Sequence, residues 1–198
     1  MVDIQVKNLT KFYGSNKALD NVSFSVKKGE ILSILGENGS GTTTLLKILA
    51  GLLPGYGGKL LLNNAPLDPS AAAAWREQFA YAAQDPYLFG ISVQENVHLG
   101  NIKASADEVD DILKQLGLDH LADHTVSLSQ TEISGGEKQK ISIARALLKK
   151  TPILLLDECA SALDADTEQK VLQRLRHLPD RTCLAVTHRP AALELCDW

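Results

Sequence analysis

The chain has 198 residues, 44% of them apolar and 22% charged, with 20 Lys+Arg against 24 Asp+Glu for a formal net charge of −4. That length fits one domain with its own core and at most a small subdomain, and the acidic balance leaves no basic footprint for nucleic acid. No apolar run approaches the roughly 20 residues that span a bilayer, and the N-terminus has no apolar signal-peptide core, so a cytosolic setting is expected, with any membrane role supplied by a partner.

Alternation through Val2, Ile4 and Val6, and again through Val22, Phe24 and Val26, predicts antiparallel strands, with turn residues at Tyr13–Asn16 and Lys28–Gly29. Ile31–Leu35 is a short apolar run ending at a glycine, as in a strand buried on both faces. A glycine-rich turn follows, then a helical run from Thr43 to Leu53 closed by Pro54–Gly55. Residues 55–68 return to short strands and turns. The middle of the chain, about 70–135, reads as an inserted helical subdomain. Within it Val109, Ile112, Leu113 and Leu116 share one helical face behind a capping-box-like entry at Ser105. From Ser134 onward helices at about 135–149, 165–177 and 190–196 alternate with strands at Ile153–Leu156 and Cys183–Val186. The fold class predicted is α/β. Cys159, Cys183 and Cys196 show no CxxC spacing and read as small buried side chains. The pairs Lys27–Lys28 and Lys149–Lys150 read as solvated surface charge, and Trp75 and Trp198 as packing.

Gly36–Thr43 carries the first chemical signal. A glycine-rich turn between a buried strand and a helix aims backbone N–H groups inward, and the helix N-terminus adds partial positive charge, so the turn holds phosphate oxygens. The usual pattern is GxxxxGK[ST], in which lysine neutralises the β- and γ-phosphates and Ser/Thr reaches Mg²⁺. Here Gly36, Gly39, Ser40, Gly41 and Thr43 fit, and Thr42 stands in the place of the lysine. Lys47 lies more than a turn down the helix and does not replace it. Ile153–Glu158 is an apolar strand ending in two carboxylates. Asp157 suits contact with Mg²⁺ or with one of its ligands, and Glu158 suits a general base acting on a water. Ile133–Glu137 opens a second helix N-terminus suited to an anion. Gln84 follows a strand-like run at Phe79–Ala83, and His188 closes the last strand.

In this order and spacing the motifs resemble the nucleotide-binding domains of ATP-binding-cassette (ABC) proteins over the whole chain. Gly36–Thr43, with Asn38 and Thr44, resembles the Walker A loop, Gln84 the Q-loop glutamine, and Ser134, Gly135 and Gly136 the signature. Ile153–Glu158 resembles Walker B, Ser161–Asp164 the D-loop, and His188 the switch histidine, while Tyr13 takes the place of the aromatic that stacks on adenine. The resemblance implies a P-loop NTPase core with an antiparallel β subdomain and a helical subdomain. It also implies ATP and Mg²⁺ as ligands, the Mg²⁺ met by Thr43, Gln84 and Asp157. Catalysis would fall to Glu158 with Gln84 and His188. The partners implied are a second nucleotide-binding domain packed head to tail, its signature facing the Walker A loop, and the transmembrane domains of a transporter, with no nucleic acid. The segments around Gln84 and Glu158 look closest to exporter-type members.

Two departures from the family pattern carry expectations of their own. Thr42 removes one positive charge facing the phosphates, a loss of about 1.5–3 kcal/mol of binding, so weak nucleotide binding and little hydrolysis are expected. The chain stops at Trp198, where the family continues, so further C-terminal strands are expected to be missing. A non-catalytic regulatory nucleotide-binding module is the alternative to a transport ATPase. A non-transport role on DNA or ribosomes is disfavoured by the absence of coiled-coil insertions, tandem cassettes and basic surface.

Overall fold

A computed structural model of the chain describes residues 3–37, 39–67, 72–127, 129, 131–158 and 181–187. The sequence expectations at Asn38, at Ser161–Asp164, at His188 and for the helices at 165–177 and 190–196 lie outside these residues, as do Cys159, Cys196 and Trp198.

The N-terminal alternation folds as predicted. β1 (Ile4–Tyr13) and β2 (Asn16–Val26) form an antiparallel hairpin, and β1 also pairs with β4 (Gly57–Leu62), which pairs with β5 (Ala65–Pro66), giving the sheet order β2-β1-β4-β5. A second sheet runs β3-β8-β7-β6, from β3 (Ile31–Leu35), β6 (Phe79–Ala82), β7 (Ile153–Asp157) and β8 (Thr182–Thr187). Each neighbouring pair in it is parallel. Parallel strands reached by helical crossovers can be covered on both faces, but β3 is only partly buried, with Leu35 59% exposed, so the burial on both faces expected of Ile31–Leu35 does not hold. β7 and β8 are buried along their whole length. Alternation survives instead as a choice of core. Ile153, Leu155, Leu184 and Val186 pack with the antiparallel sheet and α1, whereas Leu154, Leu156, Cys183 and Ala185 pack with the helical insertion.

α1 (Thr42–Leu49) ends four residues before the predicted Leu53. Gly51 takes φ +69°, Leu52 N–H donates to the carbonyl of Lys47 at 2.9 Å, and Gly51 N–H donates to that of Ile48 at 3.0 Å. This is the paired reversal that closes a helix on a left-handed glycine. A glycine inside an apolar run therefore ended the helix before the Pro54–Gly55 signal could.

The predicted insertion at about 70–135 contains α2 (Ala72–Glu77), α3 (Val93–His98) and α4 (Ala106–Gln115), but β6 within the same bounds belongs to the parallel core sheet, and α5 (Gly135–Leu148) follows. Val109, Ile112, Leu113 and Leu116 are buried together, as their spacing predicts. Trp75 packs at 7% exposure, its indole N–H donating to the Leu49 carbonyl at 2.7 Å. Lys149 is exposed, as the surface reading expects, and its amine also donates to the carbonyls of Phe79 at 2.7 Å and Arg76 at 3.2 Å, tying the end of α5 to the start of β6. Partial desolvation of the amine accordingly holds the Lys149 pKa below its usual value. Among the described residues no helix is long and apolar enough to cross a membrane.

Candidate functional site

In an open parallel sheet, ligands gather at the carboxyl ends of the strands. Here β3 ends at Leu35 and leads through the glycine turn into α1, β6 leads to Gln84, and β7 ends at Asp157–Glu158. A cleft of about 440 Å³ opens at this edge, lined by Tyr13, Thr42, Thr43, Thr44, Gln84 and Glu158 among others.

The wall of the cleft formed by the start of α1 is unusual within the molecule. Helices α3, α4 and α5 each begin with a serine and a glutamate in a reciprocal capping box. α1 begins on Gly41, with no side-chain cap and no acid in its first turn. Its leading amides and the positive end of its dipole are therefore offered to a ligand instead of to a neighbouring side chain. Gly41 is required there twice over: its φ is +92°, and a Cβ would sit 2.2 Å from the Ala18 carbonyl oxygen. At Gly36 a Cβ would meet Ser40 Oγ at 2.4 Å and the Thr42 methyl at 2.6 Å, so Ser40 and Thr42 both fold over that glycine.

The opposite wall is carboxylate. Thr43 Oγ1 donates to Asp157 Oδ1 at 3.0 Å, and the Tyr81 hydroxyl donates to Asp157 Oδ2 at 2.7 Å. Asp157 has no exposed surface. Glu158, 6% exposed, leaves the strand with φ +50°, a left-handed conformation that costs a non-glycine residue of order 1 kcal/mol. The turn brings its carboxylate to the cleft, where Gln84 Nε2 donates to Oε2 at 2.7 Å. Two of the three residues expected to meet Mg²⁺, Thr43 and Asp157, are thus in direct contact. The third, Gln84, is hydrogen-bonded to Glu158.

A hard cation fits this donor set. Among the described residues no cluster of three or more His, Cys, Asp or Glu could hold a metal alone. Mg²⁺ needs less, since it keeps most of its waters and takes one or two protein oxygens together with substrate phosphates. The threonine hydroxyl gives its hydrogen to Asp157 and so keeps its lone pairs for a cation.

Positive charge is scarce in the cleft. Lys17 is the one cationic side chain among its described lining residues, against Glu37 and Glu158. Lys17 pairs with Asp20 at 3.0 Å, both partners being largely exposed. Lys47 is exposed on α1 and is not part of the lining. Tyr13 is half-exposed at the rim, with the Lys11 amine 5.4 Å from its ring centre.

The structure does not bring Ser134, Gly135 and Gly136 to this cleft. They lie at the start of α5, with Ser134 and Gly135 exposed. The helix start expected to suit an anion carries a side-chain cap of its own. Glu137 folds back, accepting from Ser134 N–H at 2.8 Å and from the Ser134 hydroxyl at 2.6 Å, so a carboxylate already occupies the position. That hydroxyl bond is the main reason the Glu137 pKa lies below its usual value. Sequence reading missed Tyr81. The available signal was a tyrosine in a buried strand, where a phenol needs a partner.

The sequence pattern described as ABC transporter matches residues 19–161. A probable ABC transporter ATP-binding/permease protein of Haemophilus influenzae is 37% identical over 98% of this chain, and the chain covers 37% of that protein's length. Among solved structures, a bacterial Atm1-family ABC exporter with ATP bound superposes with a TM-score of 0.92 at 29% identity, over 99% of this chain and 36% of the exporter. A dimeric post-hydrolysis ATP-binding cassette with ADP and Pi bound superposes with a TM-score of 0.86 at 30% identity, over 98% of this chain and 91% of the cassette.

Proposed function

The chain belongs to the ABC transporter family, and from that premise we propose that it couples ATP binding to transport across a membrane, with hydrolysis impaired by Thr42. The observation that carries the reading is the pair of contacts Thr43–Asp157 and Gln84–Glu158 at the mouth of the uncapped helix α1.

In this reading Tyr13 stacks on adenine and Gly36, Asn38, Gly39, Ser40, Gly41, Thr42 and Thr44 bind the phosphates. Thr43, Asp157 and Gln84 provide for Mg²⁺, which when bound draws charge from the β- and γ-phosphate oxygens. Glu158 accepts a proton from the attacking water, with Gln84 and His188 acting on the γ-phosphate side. The Ser134–Gly135–Gly136 edge, exposed at Ser134 and Gly135, faces the cleft of a second nucleotide-binding domain, an arrangement supported by the dimeric cassette with which the chain superposes. Residues 1–198 form this one domain, with about 70–135 as its helical and signature part. The exporter likeness supports transmembrane partners, and with them a place at the cytoplasmic face of a membrane. Exposed Tyr87, Phe89, Leu99 and Ile102 supply an apolar surface for such a partner.

Thr42 favours a second reading in which the domain binds nucleotide as a regulatory module without turning it over. The deciding experiment is ATP titration with and without Mg²⁺, together with phosphate release, for the chain as it stands and for Thr42→Lys. Restoring the lysine is expected to tighten ATP binding by about 10- to 150-fold, equivalent to about 1.5–3 kcal/mol, and to switch hydrolysis on. No gain in either measurement would overturn the transport-ATPase reading. Binding that tightens without turnover selects the regulatory module.

A further inference from the structure

Asp157 is a buried carboxylate with no exposed surface, and each of its oxygens accepts from a different hydroxyl. Thr43, on α1, takes Oδ1 at 3.0 Å, and Tyr81, on β6, takes Oδ2 at 2.7 Å. We propose that Tyr81 is a positioning residue for Mg²⁺, fixing the plane of the Asp157 carboxylate from the side opposite Thr43. The inference rests on the nucleotide-binding reading above and adds to it a residue that has no place among the motifs.

The strand register makes the contact possible. Tyr81 lies opposite Leu155 in the parallel pairing of β6 with β7, so its side chain shares a face with Leu155 and, two residues on, with Asp157. The ring packs partly buried against the core beneath the antiparallel sheet, which fixes its direction. A carboxylate held by one hydroxyl can still rotate about its χ2, whereas donors on both oxygens leave it a single plane. Octahedral Mg²⁺ tolerates little error in ligand direction, and groups that orient metal ligands are commonly worth 10- to 100-fold in metal affinity. Thr43 offers lone pairs to the same cation, so Tyr81 alone among these three residues acts wholly from behind.

The test is Tyr81→Phe, which removes one oxygen and keeps the ring. ATP is titrated calorimetrically with excess Mg²⁺, with Mn²⁺ and with EDTA, in the otherwise unchanged chain and in the Thr42→Lys background. The expected result is an affinity in EDTA within about twofold of the parent, and a metal-dependent gain about tenfold smaller. The loss should be milder with Mn²⁺, which accepts more varied geometry. Equal weakening with and without metal would make Tyr81 a packing residue and overturn the proposal, as would no change at all. If neither parent background binds ATP under any condition, the nucleotide-binding reading itself falls and the proposal with it. That failure shows in the parents, whereas failure of the Tyr81 role shows only in the variant.

Discussion

Gln84 Nε2 donates to Glu158 Oε2 at 2.7 Å across 74 residues of sequence, joining the end of β6 to the end of β7. The bond takes one of the acceptor positions of the carboxylate proposed as general base and fixes its direction at the cleft. In the Thr42→Lys background, Glu158→Gln should lower phosphate release by at least about 100-fold with ATP binding retained, the usual contribution of a positioned base. Gln84→Ala removes only the anchor and should cost less. Steady-state phosphate release beside ATP titration checks both, and an undiminished rate in Glu158→Gln would remove Glu158 from the role of base.

The Ser134–Glu137 capping box predicts acid sensitivity at the start of α5. The Glu137 pKa is depressed below its usual 4.5, first by the Ser134 hydroxyl. Its contribution to stability is therefore complete above about pH 4.5 and is lost as pH falls through the lower folded-state value. Ser134→Ala should cost about 1 kcal/mol at neutral pH. In Glu137→Gln the decline in urea-unfolding free energy between about pH 5 and 3 should be shallower than in the parent. Parallel pH curves for the two proteins would show that Glu137 is not the group responsible.

Asn96 and Arg145 predict a large loss from a small change. Asn96 is fully buried; its amide donates to the carbonyls of Phe89, Ile91 and Ser92, and its carbonyl oxygen accepts from Phe89 N–H and from Arg145. Arg145 also donates to the backbone oxygens of Asn96 at 2.7 Å and Tyr87 at 2.6 Å. Burial pulls the guanidinium pKa below its usual value, and these acceptors compensate the lost hydration of its charge. Asn96→Ala should destabilise the domain by about 2–3 kcal/mol in urea unfolding, because it leaves buried donors and part of a buried charge unsatisfied. A cost below about 1 kcal/mol would mean that water replaces the lost partners. The segment Tyr87–Ile91 follows Gln84 closely, so its loosening should also appear as faster amide exchange there.

Much of the fold was legible because it is local. Ile31–Leu35 followed by Gly36 specifies a strand running into a turn, and the spacing of Val109, Ile112, Leu113 and Leu116 specifies a helix face. The Ser105 entry is realised as a capping box with Glu108. The same kind of signal misled at α1, where apolar residues continue through Leu52 and Leu53 but Gly51 adopts the left-handed conformation that closes the helix. Periodicity records which residues are apolar; it does not record where the backbone reverses.

From the order of its motifs alone, the sequence led to the expectation that Gly36–Thr43, Gln84 and Asp157–Glu158 meet, and they do meet at one cleft. Tertiary structure decided what those residues do to one another. Thr43 meets Asp157 across 114 residues, Gln84 is held by Glu158, and Tyr81 holds the second oxygen of Asp157. The reason is physical. Loop conformation and strand burial follow from glycine placement and apolar runs a few residues long. Hydrogen bonds between side chains on different strands exist only once the parallel sheet has brought the strands' carboxyl ends within about 3 Å of one another's groups, and no local pattern in the chain records that distance.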